Sequence, residues 1–139
     1  MPQDQNTKVL VTGATGYVGS HVVKYLNQKG YKTVGIDRNI AQRKYITDQL
    51  PETTFSEAMH GDESVDEVFS KEKPDVVMHL SASSLVGPSV TNPHKYYDNN
   101  VSGTIHLLGK CVEYGVNKFV FTSTSSVYGN GHKPPIIED

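Results

Sequence analysis

The sequence predicts an α/β fold, a doubly wound parallel sheet of about five strands, and three observations carry that prediction. Short valine-rich runs alternate with longer amphipathic ones, the pattern of buried parallel strands joined by crossover helices. The first apolar run passes directly into a Gly-x-x-Gly-x-x-Gly loop, Gly13, Gly16 and Gly19, which opens a helical pattern. No repeat or low-complexity segment interrupts the alternation, and 139 residues suffice for one domain with a single core.

Taken in order, KVLVT (8–12) reads as the first strand, because its valine-rich run suits burial on both faces of a sheet. The helix after the glycine loop runs from Tyr17 to Lys29 and stops before Gly30, a C-cap signal. TVGID (33–37) forms the second strand, and TTFSE (53–57) a weaker one. In GDESVDEVFSKEKPD, Asp62 is offered as an N-cap ahead of Val65, Val68 and Phe69, which share a helical face. DVVMHLS (75–81) is the next strand, a helix from about Asn100 to Tyr114 stops at Gly115, and KFVFTS (118–123) closes the series. Right-handed crossovers place helices on both faces. The tail GNGHKPPIIED reads as loop. The last strand is expected at the border of the sheet with apolar residues on both sides, a hazard unless a further strand follows in a longer protein or association covers it.

Composition narrows the partners. A formal net charge of −2 with 20% charged residues leaves no basic surplus for a nucleic-acid backbone, so a small-molecule ligand is expected. The lone cysteine, Cys111, reads as a small apolar helix residue and fits a reducing compartment. No apolar stretch reaches the roughly 20 residues of a membrane span, and MPQDQNTK has no apolar signal core, so the chain reads as soluble and intracellular, with no membrane partner. The six histidines show no metal-ligand spacing.

A strand, a glycine loop and a helix set a diphosphate against N-terminal amides, where the helix dipole attracts negative charge. Gly13 permits the tight turn, Gly16 lets a pyrophosphate approach the main chain, and Gly19 lets helix and strand pack closely. Asp37 ends the second strand, 24 positions after Gly13, where a carboxylate accepts both ribose hydroxyls of an adenosine. A 2′-phosphate beside that carboxylate meets like-charge repulsion, so NAD is expected over NADP.

The glycine spacing, together with TSTSSVYG (122–129) and SLVGPSVTNPHKYYDNNVSGTIHLL (84–108), resembles the extended short-chain dehydrogenase/reductase family and, within it, the UDP-glucose 4-epimerases. The resemblance runs over nearly the whole chain. It implies that residues 1–139 are an incomplete Rossmann-like NAD-binding domain, followed in the family by a smaller sugar-nucleotide domain. It also implies a cytoplasmic, homodimeric isomerase of galactose metabolism acting on a UDP-sugar. By motif it assigns Gly13, Gly16, Tyr17, Val18 and Gly19 to the pyrophosphate loop and Asp37, Arg38 and Asn39 to the adenosine. Leu80, Ser81, Ala82, Ser83 and Ser84 fall on family positions lining the cofactor, although Ser84 stands where relatives carry a lysine. Asn99 matches the family's cofactor-contacting asparagine, while Asn100 is equally suited to brace main chain. The family reads adenine with the aspartate of a Gly-Asp pair. Gly61-Asp62 offers one, but the spacing from Phe55 and Phe69 places Met59 and His60 at that wall, and both assignments stand at this stage.

The mechanism the resemblance implies oxidises the sugar C4 hydroxyl, leaves a hydride on NAD and returns it to the other face of a 4-keto sugar. Thr124, four residues before Tyr128, matches the family's catalytic hydroxyl, with Ser123 its nearest competitor. The base should be a tyrosine with a lysine four residues on. Tyr25 with Lys29 and Tyr114 with Lys118 have that spacing, but the first pair lies late on its helix and Gly115 interrupts the second. In the family the pair lies beyond the SVYG motif, so it is expected to be missing from this chain, and these residues alone are expected to be inactive. His79 is expected to be a hydrogen-bonded core residue. The rival readings are another NAD-dependent sugar-nucleotide epimerase, a 4,6-dehydratase, and a non-catalytic NAD-sensing domain. A dehydratase normally has Asp-Glu where Ser125 and Ser126 stand here.

Overall fold

The computed structural model describes residues 6–129, 131 and 135–137. Five parallel strands, β1 (Lys8–Thr12), β2 (Lys32–Asp37), β3 (Thr54–Glu57), β4 (Val76–His79) and β5 (Lys118–Phe121), form one sheet in the order β3-β2-β1-β4-β5. The helices are α1 (Tyr17–Gln28), α2 (Lys44–Thr47), α3 (Ser64–Glu72), α4 (Val86–Thr91), α5 (Pro93–Tyr97) and α6 (Gly103–Glu113). Every pairing is parallel, with Leu10 opposite both Val34 and Val77 at the centre.

The period-two alternation of the strands divides the apolar residues into two cores. Leu10, Val34, Ile36 and Val77 join Val65, Val68 and Phe69 of α3 and Leu107 and Cys111 of α6. Val9 and Val11 face the other way, onto Val23 of α1, with Ile46 of α2 and Phe55 packed alongside. Burial on both faces is why the central strands read as unbroken apolar runs. Gly35 belongs to the second face, where a Cβ would fall 2.6 Å from the Phe55 ring and 2.7 Å from the Ala14 Cβ. Lys110 ties α6 to α3, its Nζ 2.5 Å from Asp66 Oδ1, and the pairing with Asp66 and Glu113 raises its pKa.

Several local features differ from the sequence expectation, and β5 ends at Phe121 rather than Ser123. α1 ends at Gln28, and Lys29 turns its N–H back to Tyr25 and Leu26 before Gly30 takes a positive φ of 81°. The helix expected from Asn100 begins as a π turn over Asp98–Ser102 and becomes α-helical only at Gly103. β4 stops at His79, which takes Leu80 and Ser81 out of the ladder. The short helices α2, α4 and α5 lack the length for a visible apolar period. β5 is a border strand, with Val120 44% and Phe121 57% exposed. The loop expected at 129–139 is irregular at its described residues, and 130, 132–134 and 138–139 lie outside them.

Candidate functional site

The site gathers at the carboxyl ends of the strands, where an open α/β sheet leaves a crevice on either side of its first strand. β1 delivers the chain to Gly13, whose φ of 68° is a conformation few other residues adopt. A Cβ on Gly13 would stand 3.1–3.3 Å from main-chain atoms of Leu80 and Ser81, so the turn presses against the segment leaving β4. Gly16 donates its N–H to the Gly13 carbonyl at 2.9 Å and begins α1. That helix starts with no side-chain cap and no acidic residue in its first turn, which leaves its positive end uncompensated. Gly19 is buried under the turn. Tyr17 and Val18, 84% and 55% exposed, turn their side chains to solvent and offer the site main chain only.

Asp37 ends β2 beside this turn. Its Oδ2 accepts the Thr15 hydroxyl at 2.7 Å and the Thr15 N–H at 3.3 Å, which fixes the carboxylate plane. Arg43 Nη1 donates to the Thr15 carbonyl at 2.8 Å and brings a guanidinium to the same wall. Arg43 was not anticipated, because a basic residue in a short polar stretch carries no periodic signal.

The opposite wall comes from the segment after β3. Met59 and buried His60 line the cleft, and His60 Nε2 lies 2.9 Å from the Asn99 carbonyl. Burial lowers the His60 pKa, and its bond to Asn99 partly opposes that shift. Asp62 instead accepts the N–H and hydroxyl of Ser64 at the head of α3, but from one residue ahead of the N-cap position expected of it, which Glu63 occupies. Gly61 packs against Gly103, where a Cβ would meet Gly103 Cα at 2.9 Å.

Residues 80–83 make the floor. Asn100 holds them as a peptide would, accepting the Ser83 N–H at 2.7 Å and donating to the Ser83 carbonyl at 2.9 Å. Its neighbour Asn99 lines the cleft and donates to Asn100 Oδ1 at 2.9 Å. Asn99 thus stands at the cleft while Asn100 braces main chain. Both sit in the π turn, a local irregularity that often accompanies functional sites.

The structure thus brings Gly13, Gly16, Asp37, Arg38, Met59, His60, Asn99 and residues 80–83 around one cleft of about 160 Å³. That is smaller than the roughly 300–1,000 Å³ of most ligand pockets, so an extended ligand must continue along open surface. Asn39 and Ser84 do not line it. Thr124 lies outside it too, exposed beyond β5 at the same carboxyl edge, where its Oγ1 accepts the Ser126 N–H at 3.2 Å. Neither Tyr-x-x-x-Lys pair reaches the cleft. Lys29 Nζ lies 5.3 Å from the Tyr25 ring centroid, and Tyr114 and Lys118 line a separate hollow beside Lys73 and Asp75, at the amino end of β4 and β5. Among the described residues, no group of three or more His, Cys, Asp or Glu is arranged to hold a metal. No described helix is long and apolar enough to cross a membrane.

A parallel sheet in this order, with a glycine turn pressed between its first strand and an uncapped helix and a carboxylate ending its second strand, defines a Rossmann-like α/β domain. Residues 9–139 match the NAD dependent epimerase/dehydratase family, and the chain belongs to it. It is 40% identical over 131 residues to the UDP-glucose 4-epimerase of Halalkalibacterium halodurans, covering 94% of this chain and 38% of that protein. A UDP-glucose 4-epimerase of Klebsiella pneumoniae is 36% identical, with 94% of this chain and 99% of that sequence covered. The crystal structure of UDP-glucose 4-epimerase from Bifidobacterium longum, in complex with NAD+ and UDP, superposes with a TM-score of 0.86 at 31% identity. It covers 96% of this chain and 42% of that one. The chain therefore spans about two fifths of the length of several of its curated relatives, between 38% and 41%.

Proposed function

We propose that this chain is the NAD-binding part of a UDP-glucose 4-epimerase that interconverts UDP-glucose and UDP-galactose. The observation that carries the reading is the pairing of an uncapped α1 N-terminus, reached through Gly13 and Gly16, with the Asp37 carboxylate across one cleft. A dinucleotide needs both, a positive helix end for its diphosphate and an acceptor for its ribose hydroxyls. The solved relative holding NAD+ and UDP supports the same assignment.

In this reading Gly13, Gly16 and the main chain of Tyr17, Val18 and Gly19 meet the diphosphate. Asp37 accepts the ribose hydroxyls, with Arg38 and Arg43 around it. Met59 and His60 form the adenine wall, since Asp62 is spent on Ser64. Residues 80–83 and Asn99 line the path toward the nicotinamide. When bound, NAD supplies a hydride acceptor and donor at the sugar C4. Thr124 hydrogen-bonds the substrate hydroxyl from the carboxyl edge beyond β5. The tyrosine–lysine pair must come from outside the pairs seen here, because neither reaches the cleft. These 139 residues alone therefore turn over no UDP-sugar.

The proposal extends to a cytoplasmic homodimer acting in galactose metabolism. Tyr97, Val101, Ile105, Leu108 and Val112 recur at helical spacing from α5 into α6 and are 41–82% exposed, an apolar stripe suited to a second copy. Titration calorimetry of this chain with NAD and NADP tests the cofactor assignment, and tighter binding of NADP overturns the role given to Asp37. Interconversion of UDP-glucose and UDP-galactose by the whole gene product tests the activity.

A further inference from the structure

His79 ends β4 as a buried residue, 2% exposed, between two threonines. Thr12 Oγ1 lies 2.7 Å from His79 Nδ1, and Thr104 Oγ1 lies 2.9 Å from His79 Nε2. Each hydroxyl has one proton and two lone pairs. Thr12 Oγ1 already accepts the N–H groups of Leu80 and Ser81, both at 3.1 Å, so its own proton points to His79 and Nδ1 is the acceptor. Thr104 gives its proton to the Asn100 carbonyl at 2.7 Å, a group that only accepts, so its oxygen receives a proton from Nε2. The two ends are independent of one another, and both demand a neutral ring protonated on Nε2. Hydrogen-bond geometry alone sets the tautomer.

The chain of bonds closes on itself. It runs from Ser81 through Thr12, His79 and Thr104 to Asn100, and the Asn100 side chain returns to Ser83. Thr12 immediately precedes Gly13, so the circuit joins the glycine turn, the floor at 80–83 and the Asn99–Asn100 turn. These three segments come from distant parts of the sequence, and apolar packing alone does not fix their relative positions to hydrogen-bond accuracy.

We propose that His79 is a positioning residue for the cleft: held as the Nε2–H tautomer, it gives this circuit a single direction and so fixes the three main-chain segments against which a dinucleotide lies. The link to binding rests on the NAD reading, whereas the tautomer and the ordering of the segments do not. Burial pushes the His79 pKa down to about 4, with the neighbouring His60 ring, 4.7 Å away between centroids, adding to the shift, which keeps the ring neutral at pH 7.

Two measurements on the 139-residue chain test the proposal. Long-range proton–nitrogen correlation spectra should show His79 at pH 7 with Nε2 protonated and Nδ1 bare. An Nδ1–H tautomer, an averaged mixture or a charged ring overturns it. Thr104→Val keeps the shape of the side chain and removes the acceptor, so the amide signals of Leu80, Ser81 and Ser83 should shift and NAD affinity should fall roughly tenfold, about one net hydrogen bond. Thr104→Ser should restore both. Unchanged amide signals in Thr104→Val overturn the positioning role. If the wild-type chain binds no NAD, the cofactor reading fails, while the tautomer and amide signals still decide the role of His79.

Discussion

Gly19 and Gly13 meet backbone to backbone: a Cβ on Gly19 would stand 2.1 Å from the Gly13 carbonyl oxygen and 2.8 Å from its carbonyl carbon. No rotamer relieves that contact, because the obstruction is main chain on both sides. Gly19→Ala must push α1 off the turn, an overpacking cost of about 1–3 kcal/mol, or several degrees of Tm. It should also weaken NAD binding by displacing the Gly16 amide. Gly87, in α4, has open space around it, so Gly87→Ala should be neutral or slightly stabilising by about 0.5 kcal/mol. Thermal melts of the two variants check the contrast, and equal Tm values would contradict it.

Asp37 reaches the cleft already oriented, since Thr15 holds its Oδ2 through both hydroxyl and N–H. Asp37→Asn keeps the shape and loses the charge-assisted acceptor, which should raise the Kd for NAD about ten- to hundredfold. The Kd for NADP should change less, because the carboxylate no longer repels a 2′-phosphate. Calorimetry with both nucleotides reads the ratio directly. A variant that keeps the wild-type preference would show that another group sets it.

The three central strands were legible in the sequence because burial on both faces leaves a dense apolar signal, whereas the border strand β3, with no buried residue, read only weakly and β5 read through its apolar run alone. The glycine loop was legible because three glycines before an amphipathic helix have few other uses. The stretch between β4 and α6 was not. Pro88 and Pro93 break any long period, and its short helices are set by local bonds such as Asn92 Oδ1 accepting the Lys95 N–H. Asn100 was readable as a brace from its residue type. The circuit through Thr12, His79 and Thr104 was not readable, since hydrophobic period reports which side chains are buried and says nothing of which polar atoms meet. The solvent-facing side chains of Tyr17 and Val18 escaped because a motif fixes the path of the main chain before it fixes side-chain direction.

The exposed stripe on α6 separates folding from association. Ile105 is 64% exposed, so Ile105→Glu should change the Tm of the isolated subunit little, within about 0.5 kcal/mol as for most surface substitutions. It should convert a dimer of the whole protein to a monomer, because it places two like charges in an isologous apolar contact. Sedimentation velocity on the wild type and the variant measures this. A wild type that is monomeric at high concentration would remove the stripe from consideration.

Acid should destabilise the domain through His79. Its folded pKa is about 4, against 6.5 for an ordinary histidine, so between those values the unfolded chain takes a proton that the folded chain refuses. The stabilising contribution is whole above pH 6.5 and is lost progressively as pH falls to about 4. His60 is shifted in the same direction by its burial and adds to the slope. Protonating His79 on Nδ1 would also reverse the demand on Thr12, whose hydroxyl would have to accept from the ring and release Leu80 or Ser81. NAD affinity, which depends on the folded ring, should therefore hold through most of that window and fall only as pH approaches about 4. His79→Asn, whose Oδ1 stands near the place of Nδ1 and accepts from Thr12 without titrating, should flatten both profiles. Calorimetric Tm and Kd between pH 4 and 7 for the two proteins decide it, and parallel slopes would assign the acid sensitivity to groups other than His79.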